Sequence, residues 1–320
     1  MTSATRKFGR RAPSRRPALS LSRVLTGKIP AHPAAADYLA ALNDGWQMLG
    51  NDRAGDCVAV TWANMRRLVT AICGAENYPS QDQVWEIYKT QNPGFDPNGD
   101  PSVNGPGSPA DGGMDIQTLL EYLVKVGGPD GTKALAFAKV DPTQPDQVKA
   151  AIAVFGGLWT GIVVQKANQQ DFTDGKPWDY HRSSPDEGAH SVLTSGYGAP
   201  GPGPLGGDER METWAEETSF TDAYWRRKVE EVWVVIWPEH LEHPDFLEGV
   251  DLTALAADYE ALTGKPFPAV VPPAPQPQPT PTPVPSPPPA PTPSPSPVLD
   301  PRLVEAYRAM KAWAHDNKVR

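Results

Sequence analysis

Gly50-Asn51-Asp52-Arg53-Ala54-Gly55-Asp56-Cys57 runs straight into Val58-Ala59-Val60-Thr61-Trp62-Ala63-Asn64-Met65, and this junction decides the fold. Gly-Asp ahead of an apolar period is a tight turn, and Asp56 predicts an N-cap. The spacing predicts a helix from Cys57 to about Cys73, with Trp62, Met65, Val69 and Ile72 on one face and Gly74 as its stop. A cysteine in the first turn of a helix meets unpaired backbone N–H groups and the positive end of the dipole. Both stabilise a thiolate. Asp52 and Asp56 oppose that effect, because nearby negative charge disfavours a second anion. The plainer reading of Cys57 is a small apolar core residue, and Cys73 at the helix end is read that way.

The rest of the chain sets bounds on what such a cysteine can be. The protein has 320 residues, 38 prolines and only two cysteines. A disulfide-dense secreted scaffold is excluded. Along one helix Cys57 and Cys73 would be roughly 24 Å apart, too far to bond, which predicts free thiols in a reducing compartment. No apolar run of about 18 residues is present to span a membrane, and no apolar segment of a secretory signal follows the basic N-terminus. The cytoplasm of the producing cell is the expected location.

Charge is unevenly spread. Residues 1–30 carry Arg6, Lys7, Arg10, Arg11, Arg15, Arg16, Arg23 and Lys28 and no acid, against a chain net of −9. Such an arm can bind nucleic acid, an acidic partner or the acidic body of its own protein. The plain alternative is a solvated tail. Nucleic acid is not the expected partner of this acidic chain.

Four regions follow. Residues 1–30 read as a basic extended arm and 31–264 as one folded domain. Residues 265–299 read as a proline-rich linker, and 300–320 as a helix begun by Asp300 and Pro301. The stretch 272–297 holds fifteen prolines in 26 residues; as polyproline at about 3.1 Å per residue it spans at most roughly 80 Å. Within the domain, Ser80 and Gln83 form a capping box before a second helix. A Gly-, Pro-, Asn- and Asp-rich loop occupies about 92–113, and a third helix begins near Asp115. Residues 145–155 suggest a fourth helix, and 251–263 a last one. Leu158–Val164, Ser191–Tyr197 and Val232–Ile236 read as strands. Helices precede strands, so the fold class is α+β, with a helical half facing an antiparallel sheet half.

Of six histidines, His190 stands out. It opens the strand Ala189-His190-Ser191-Val192-Leu193-Thr194-Ser195-Gly196-Tyr197-Gly198, 133 residues after Cys57. A strand can hold a base rigidly opposite a helix N-terminus. His181 sits in a polar loop and reads as surface. Asp96, Asn98 and Asp100 alternate as in a calcium loop, but Gly107 stands where the bidentate Glu belongs. Glu239, His240, Glu242 and His243 lack the HExxH spacing, and Pro244 breaks any aligning helix. No metal or cofactor is expected.

Residues 48–237 resemble the papain-like cysteine peptidase superfamily. Asn51, six residues before Cys57, lies where the family places its oxyanion side-chain donor. Gly112-Gly113 and the helix after them look like the family's Gly-Gly turn. Val148 to Gly157-Leu158 and Phe172 to Trp178 resemble the segments before the base. Ala189-His190-Ser191-Val192 through Gly198 is the nearest match, and Glu212-Thr213-Trp214-Ala215 stands in place of Asn-Ser-Trp-Gly. The Gly50 to Cys57 start and Val229-Glu230-Glu231-Val232-Trp233 look like papain-fold proteins of tailed actinobacterial phages. The resemblance implies Cys57 as nucleophile, His190 as base and Asn51 in the oxyanion hole. Glu212 becomes the third member, with Thr213 the other candidate. It implies a hydrolase of peptide or amide bonds, in peptidoglycan peptides or in maturing viral proteins. The alternative is an inactive papain-fold virion protein, tethered to a virion partner by its arm or C-terminal helix.

Overall fold

Helix α1, Cys57–Ile72, is the spine of the structure, with all but its last two residues buried. The structure, a computed structural model, describes residues 6–13, 32–39, 42, 45–198 and 209–242, with Asp251, Thr253, Ala256, Ala257, Glu260 and Pro266 beyond. All but Met1–Pro272 lies outside this compact unit. The helix read at 300–320 and the linker, Pro266 apart, fall outside the described residues. The helix read at 251–263 is described only at Asp251, which is not helical, and at Thr253, Ala256, Ala257 and Glu260, which are.

Two helices complete the helical half: α2, Gln81–Lys89, and α3, Ile116–Lys125. Their starts follow local chemistry. Ser80 and Gln83 form the capping box reciprocally, and Asp115 accepts from Thr118 N at 2.7 Å.

The sheet half has seven strands: β1 (Ala36–Asp37), β2 (Ala136–Val140), β3 (Leu158–Gln165), β4 (Asp186–Tyr197), β5 (Glu209–Thr213), β6 (Glu216–Phe220) and β7 (Val229–Ile236). They run β2-β7-β3-β4-β5-β6, all antiparallel, with β1 added to the far end of β4. The pleat explains how one sheet serves two cores. On β7, Val232, Val234 and Ile236 join a core with α4 (Pro145–Phe155), α5 (Lys166–Thr173) and α6 (Asp222–Lys228). The alternate residues Trp233 and Val235 join the core of α1, α2 and α3. Both faces are covered, so β7 reads as a continuous apolar run. This is the predicted α+β architecture. Sequence reading missed β1, β2, β5, β6, α5 and α6, and β4 begins at Asp186, so His190 lies inside the strand, paired with Ile162.

Charged residues also hold α1 in place. Arg66 is buried, with its Nε on Asp130 Oδ2 at 2.7 Å and a terminal nitrogen on Glu239 Oε1 at 2.6 Å. Its guanidinium lies 4.5 Å from the Trp237 ring centroid. Removing one partner of a buried ion pair leaves the other uncompensated. Arg66→Ala should therefore lower unfolding free energy by about 3–5 kcal/mol, measured by urea denaturation.

Candidate active site

Asp56 holds the N-cap position of α1, yet its side chain makes no capping hydrogen bond. Its Oδ1 instead accepts from Asn51 Nδ2 at 3.1 Å, while Oδ2 is buried without a partner. The capping predicted for Asp56 is thus replaced by a bond back into the turn. The first N–H groups of α1 are left uncapped around Cys57. Burial pushes the Asp56 carboxyl well above the usual range, despite the Asn51 bond. Asp56 in turn adds to the upward push on the Cys57 thiol, as the sequence expectation has it.

Cys57 meets β4 through a directed hydrogen-bond chain. Trp159 Nε1 donates to Ser191 Oγ at 2.8 Å. Ser191 Oγ and Thr61 Oγ1 are 2.9 Å apart, and Thr61 Oγ1 donates to the Cys57 carbonyl at 2.8 Å. Each hydroxyl has one proton, so Ser191 must donate to Thr61. The backbone of Ser191 also faces the Cys57 thiol and pulls its pKa down. His190, the residue before Ser191, is thereby set on the strand that bonds the first turn of α1.

The His190 ring is fixed on three sides. Nε2 lies 2.7 Å from Thr213 Oγ1, Trp214 stacks on it at 4.6 Å, and Phe8 meets it edge-on at 5.9 Å. Nδ1 is buried with no hydrogen-bond partner among the described residues. With Nε2–H donating to Thr213, Nδ1 is the lone-pair nitrogen. Burial holds the imidazole down to about 3, with the charge of Arg10 adding to the effect.

The residue expected as third member is corrected. Glu212 accepts from Asn64 Nδ2 and, through Oε1, from Ala215 N at 3.2 Å. Neighbouring strand residues point to opposite faces, so β5 can present only one of Glu212 and Thr213 to His190. It presents Thr213. Burial raises the Glu212 carboxyl to about 8 against both of these bonds.

The oxyanion role expected of Asn51 is also not what the structure shows. Its amide donates to Asp56 Oδ1 and to the Ala54 carbonyl at 3.3 Å, which commits both hydrogens to the turn. The uncapped N–H of Cys57 is the donor that the helix start supplies.

The β5–β6 hairpin that places Trp214 is strained. Thr213 pairs with Glu216, and the two residues between, Trp214 and Ala215, have φ of 49° and 64°. This two-residue turn demands positive φ at both positions, ordinarily filled by Gly or Asn. Trp214 is held there by Phe172 at 5.4 Å and Trp178 at 5.5 Å.

The basic arm closes over this site, which no sequence signal located. Residues 6–13 lie along the seam between the two halves. Lys7 N donates to Asn51 O at 3.0 Å, Met114 N to Gly9 O at 2.7 Å, Arg11 N to Met114 O at 2.7 Å and Arg10 N to Ala189 O at 3.3 Å. The Gly9 backbone also faces the Cys57 thiol and pulls its pKa down. A Cβ on Gly9 would sit 1.7 Å from the Gly55 carbonyl oxygen, and one on Gly113 2.1 Å from Gly9 O. Of the three arm partners the charge pattern allows, the described residues choose the protein's own body. Cys57 is consequently 1% exposed, and burial pushes its thiol up to about 12, outweighing the Ser191 and Gly9 backbones.

The other titratable clusters have structural work. Asp96 accepts from Asn98 N at 2.9 Å and Asp100 from Ser102 N at 2.7 Å. His240 accepts from Trp237 N at 2.9 Å, and Glu239 holds Arg66. His181 pairs with Asp171 at 2.7 Å.

No family model and no curated protein matches the chain. Solved structures do. Xylellain, a cysteine protease from Xylella fastidiosa, is 15% identical, with a TM-score of 0.53 over 74% of this chain and 98% of its own. Procathepsin L 3 of Tenebrio molitor larval midgut is 11% identical, with a TM-score of 0.44 over 73% of this chain and 76% of its own. The Amb a 11 cysteine protease, a ragweed pollen allergen, is 14% identical, at 0.45 over 65% and 66%. On the first of these the fold is papain-like.

Two outcomes follow from the hairpin and the buried acid. Ala215→Gly relieves the positive φ and should raise stability by about 1 kcal/mol, read as a higher melting temperature. Glu212 has a folded pKa near 8, above its ordinary 4.5, so its contribution is full below pH 4.5 and is lost as pH rises towards 8. Glu212→Gln should remove that loss, so that the variant gains on the parent in melting temperature between pH 5 and 8.

Proposed function

We propose that this protein is a cysteine peptidase in which Cys57 is the nucleophile and His190 the general base. One observation carries the reading. The Cys57 thiol, at an uncapped helix N-terminus, faces the backbone of Ser191, while His190, the residue before Ser191, is oriented by Thr213 and keeps Nδ1 unpartnered. A helix-start thiol and an imidazole whose far nitrogen is oriented by a third group are parts that acyl transfer requires.

The steps follow from these atoms. Cys57 Sγ attacks the carbonyl carbon and its proton passes to His190 Nδ1. The oxyanion faces the Cys57 N–H and the positive end of α1, each such donor being worth roughly 3 kcal/mol. The imidazolium returns the proton to the leaving amine as the C–N bond breaks, leaving a thioester. Water, deprotonated by His190, then attacks the thioester and releases the acid and the thiol. Thr213 accepts from Nε2–H throughout and fixes the ring.

In the state described, both groups are neutral, because Gly9 keeps the sulfur dry. Charge separation between thiolate and imidazolium needs the arm to move.

Peptidoglycan peptides and viral precursor proteins are the substrates to present first. His190→Ala should lower turnover by about 10²–10⁴, and Thr213→Val by less. Cys57→Ala should abolish it. Hydrolysis surviving in Cys57→Ala would refute the reading. Because Gly9 covers the thiol, iodoacetamide should label Cys57 slowly in the parent chain and faster in Gly9→Ala, read by peptide mass spectrometry.

A further inference from the structure

Among the described residues of the arm only Arg10 is buried, and its surroundings are more specific than a strap requires. Its side chain is fully buried. One terminal nitrogen bonds Glu231 Oε1 at 2.8 Å. The other bonds the Ile162 carbonyl at 3.3 Å and Glu230 Oε2. Consecutive strand residues normally point to opposite faces, so Glu230 and Glu231 should not share a cation. They do here because the β3–β7 register shifts between Gly161 and Ile162: Gly161 opposes Glu231, whereas Ile162 opposes Val229. Glu230 is the extra residue of a bulge, and bulges re-aim side chains.

The pocket is also held from its own side. Trp233 Nε1 donates to Glu231 Oε2 at 2.8 Å, leaving Oε1 for the guanidinium. Gly161 provides the wall. A Cβ there would meet Glu231 Cγ at 2.6 Å and Arg10 Cδ at 2.8 Å, so only glycine lets the aliphatic stem pass. The entrance lies one residue from the nucleophile: Gly9 faces the Cys57 thiol, and Arg10 N bonds Ala189 O, beside His190.

We propose that Glu230, Glu231, the Ile162 carbonyl and Gly161 form a selectivity pocket for an arginine side chain of a peptide substrate, filled in this state by the protein's own Arg10. The inference rests on the peptidase reading and names its substrate class. A two-carboxylate site that bonds both terminal nitrogens discriminates by charge and by fork geometry. A neutral side chain there leaves Glu231 buried and uncompensated. Peptides with arginine at the matching position are the ligands this pocket selects.

The test uses the full chain carrying Gly9→Ala, which expels the arm by the clash with Gly55, and Cys57→Ser, which stops turnover. Two fluorescein-labelled peptides are titrated by anisotropy. One has the sequence of residues 6–13, and the other has citrulline, the neutral isostere, in place of Arg10. The arginine peptide should bind about tenfold tighter or more, and Glu231→Gln should erase the difference. Equal affinities, binding of neither peptide, or a preference surviving Glu231→Gln would overturn the proposal. If the Gly9→Ala chain lacks a cooperative melt, the comparison moves to the otherwise unaltered protein. There Arg10→Gln should raise Cys57 alkylation about tenfold and Arg10→Lys much less; equal rates would overturn it. Binding is read without catalysis, so a chain that prefers arginine but cleaves nothing sinks the peptidase reading alone.

Discussion

The chain from Trp159 through Ser191 and Thr61 to the Cys57 carbonyl is the constraint on which the site depends. It crosses from β3 to β4 to the first turn of α1, inside a seam without bulk water. Its direction is set, because each hydroxyl has a single proton and the indole can only donate. Reversing any member would leave a buried donor or acceptor unpaired, at a cost of roughly 1–3 kcal/mol. Helix and sheet therefore meet in one register. That register fixes Ser191, and with it the backbone of the residue before it, against α1. Cys57 and His190 need no contact of their own to be held in place.

The arm then sets the electrostatic state of what the seam has placed. A buried thiol and a buried imidazole both prefer neutrality. Arg10 adds a positive charge that further disfavours the imidazolium. The same cation is neutralised by Glu231 and Glu230, so the arm brings in its charge without leaving it unpaired. Glu231 is itself raised by burial, with Trp233 and Arg10 pulling it back. The closed state is thus self-consistent: a dry seam, a neutral thiol and base, and one compensated guanidinium.

Much of this was legible in the sequence, and the failures share a cause. The 57–72 helix, the Ser80 capping box and the Asp115 start are local, and local signals survive folding. Strands β3 and β7 were legible because burial on both faces makes them continuous apolar runs. Strand β5, Glu209–Thr213, is polar in composition yet buried throughout, since Arg210 and Glu212 find partners across elements. No periodicity reports such partners. Asp56 is the N-cap its sequence position announces, but Asn51 offers its carboxylate a bond that competes with capping. The destination of the arm was beyond reach, because eight cations state only that an acidic surface is sought.

The exchange of Glu212 for Thr213 shows what a single strand residue decides. Had Glu212 faced His190, a buried carboxylate would have met the ring, and its ionised form would have favoured the imidazolium. With Thr213 there, the partner is a neutral hydroxyl that orients Nε2 without pulling the ring towards charge. Glu212 goes to the other face, where Asn64 holds it and Tyr78 holds Asn64 in turn, at 2.9 Å. Its backbone bond to Ala215 then braces the strained turn from within. The acid that sequence position marked for proton chemistry thus supports the hairpin that stacks Trp214 on His190. It positions His190 through packing, and a neutral carboxylic acid is sufficient for that.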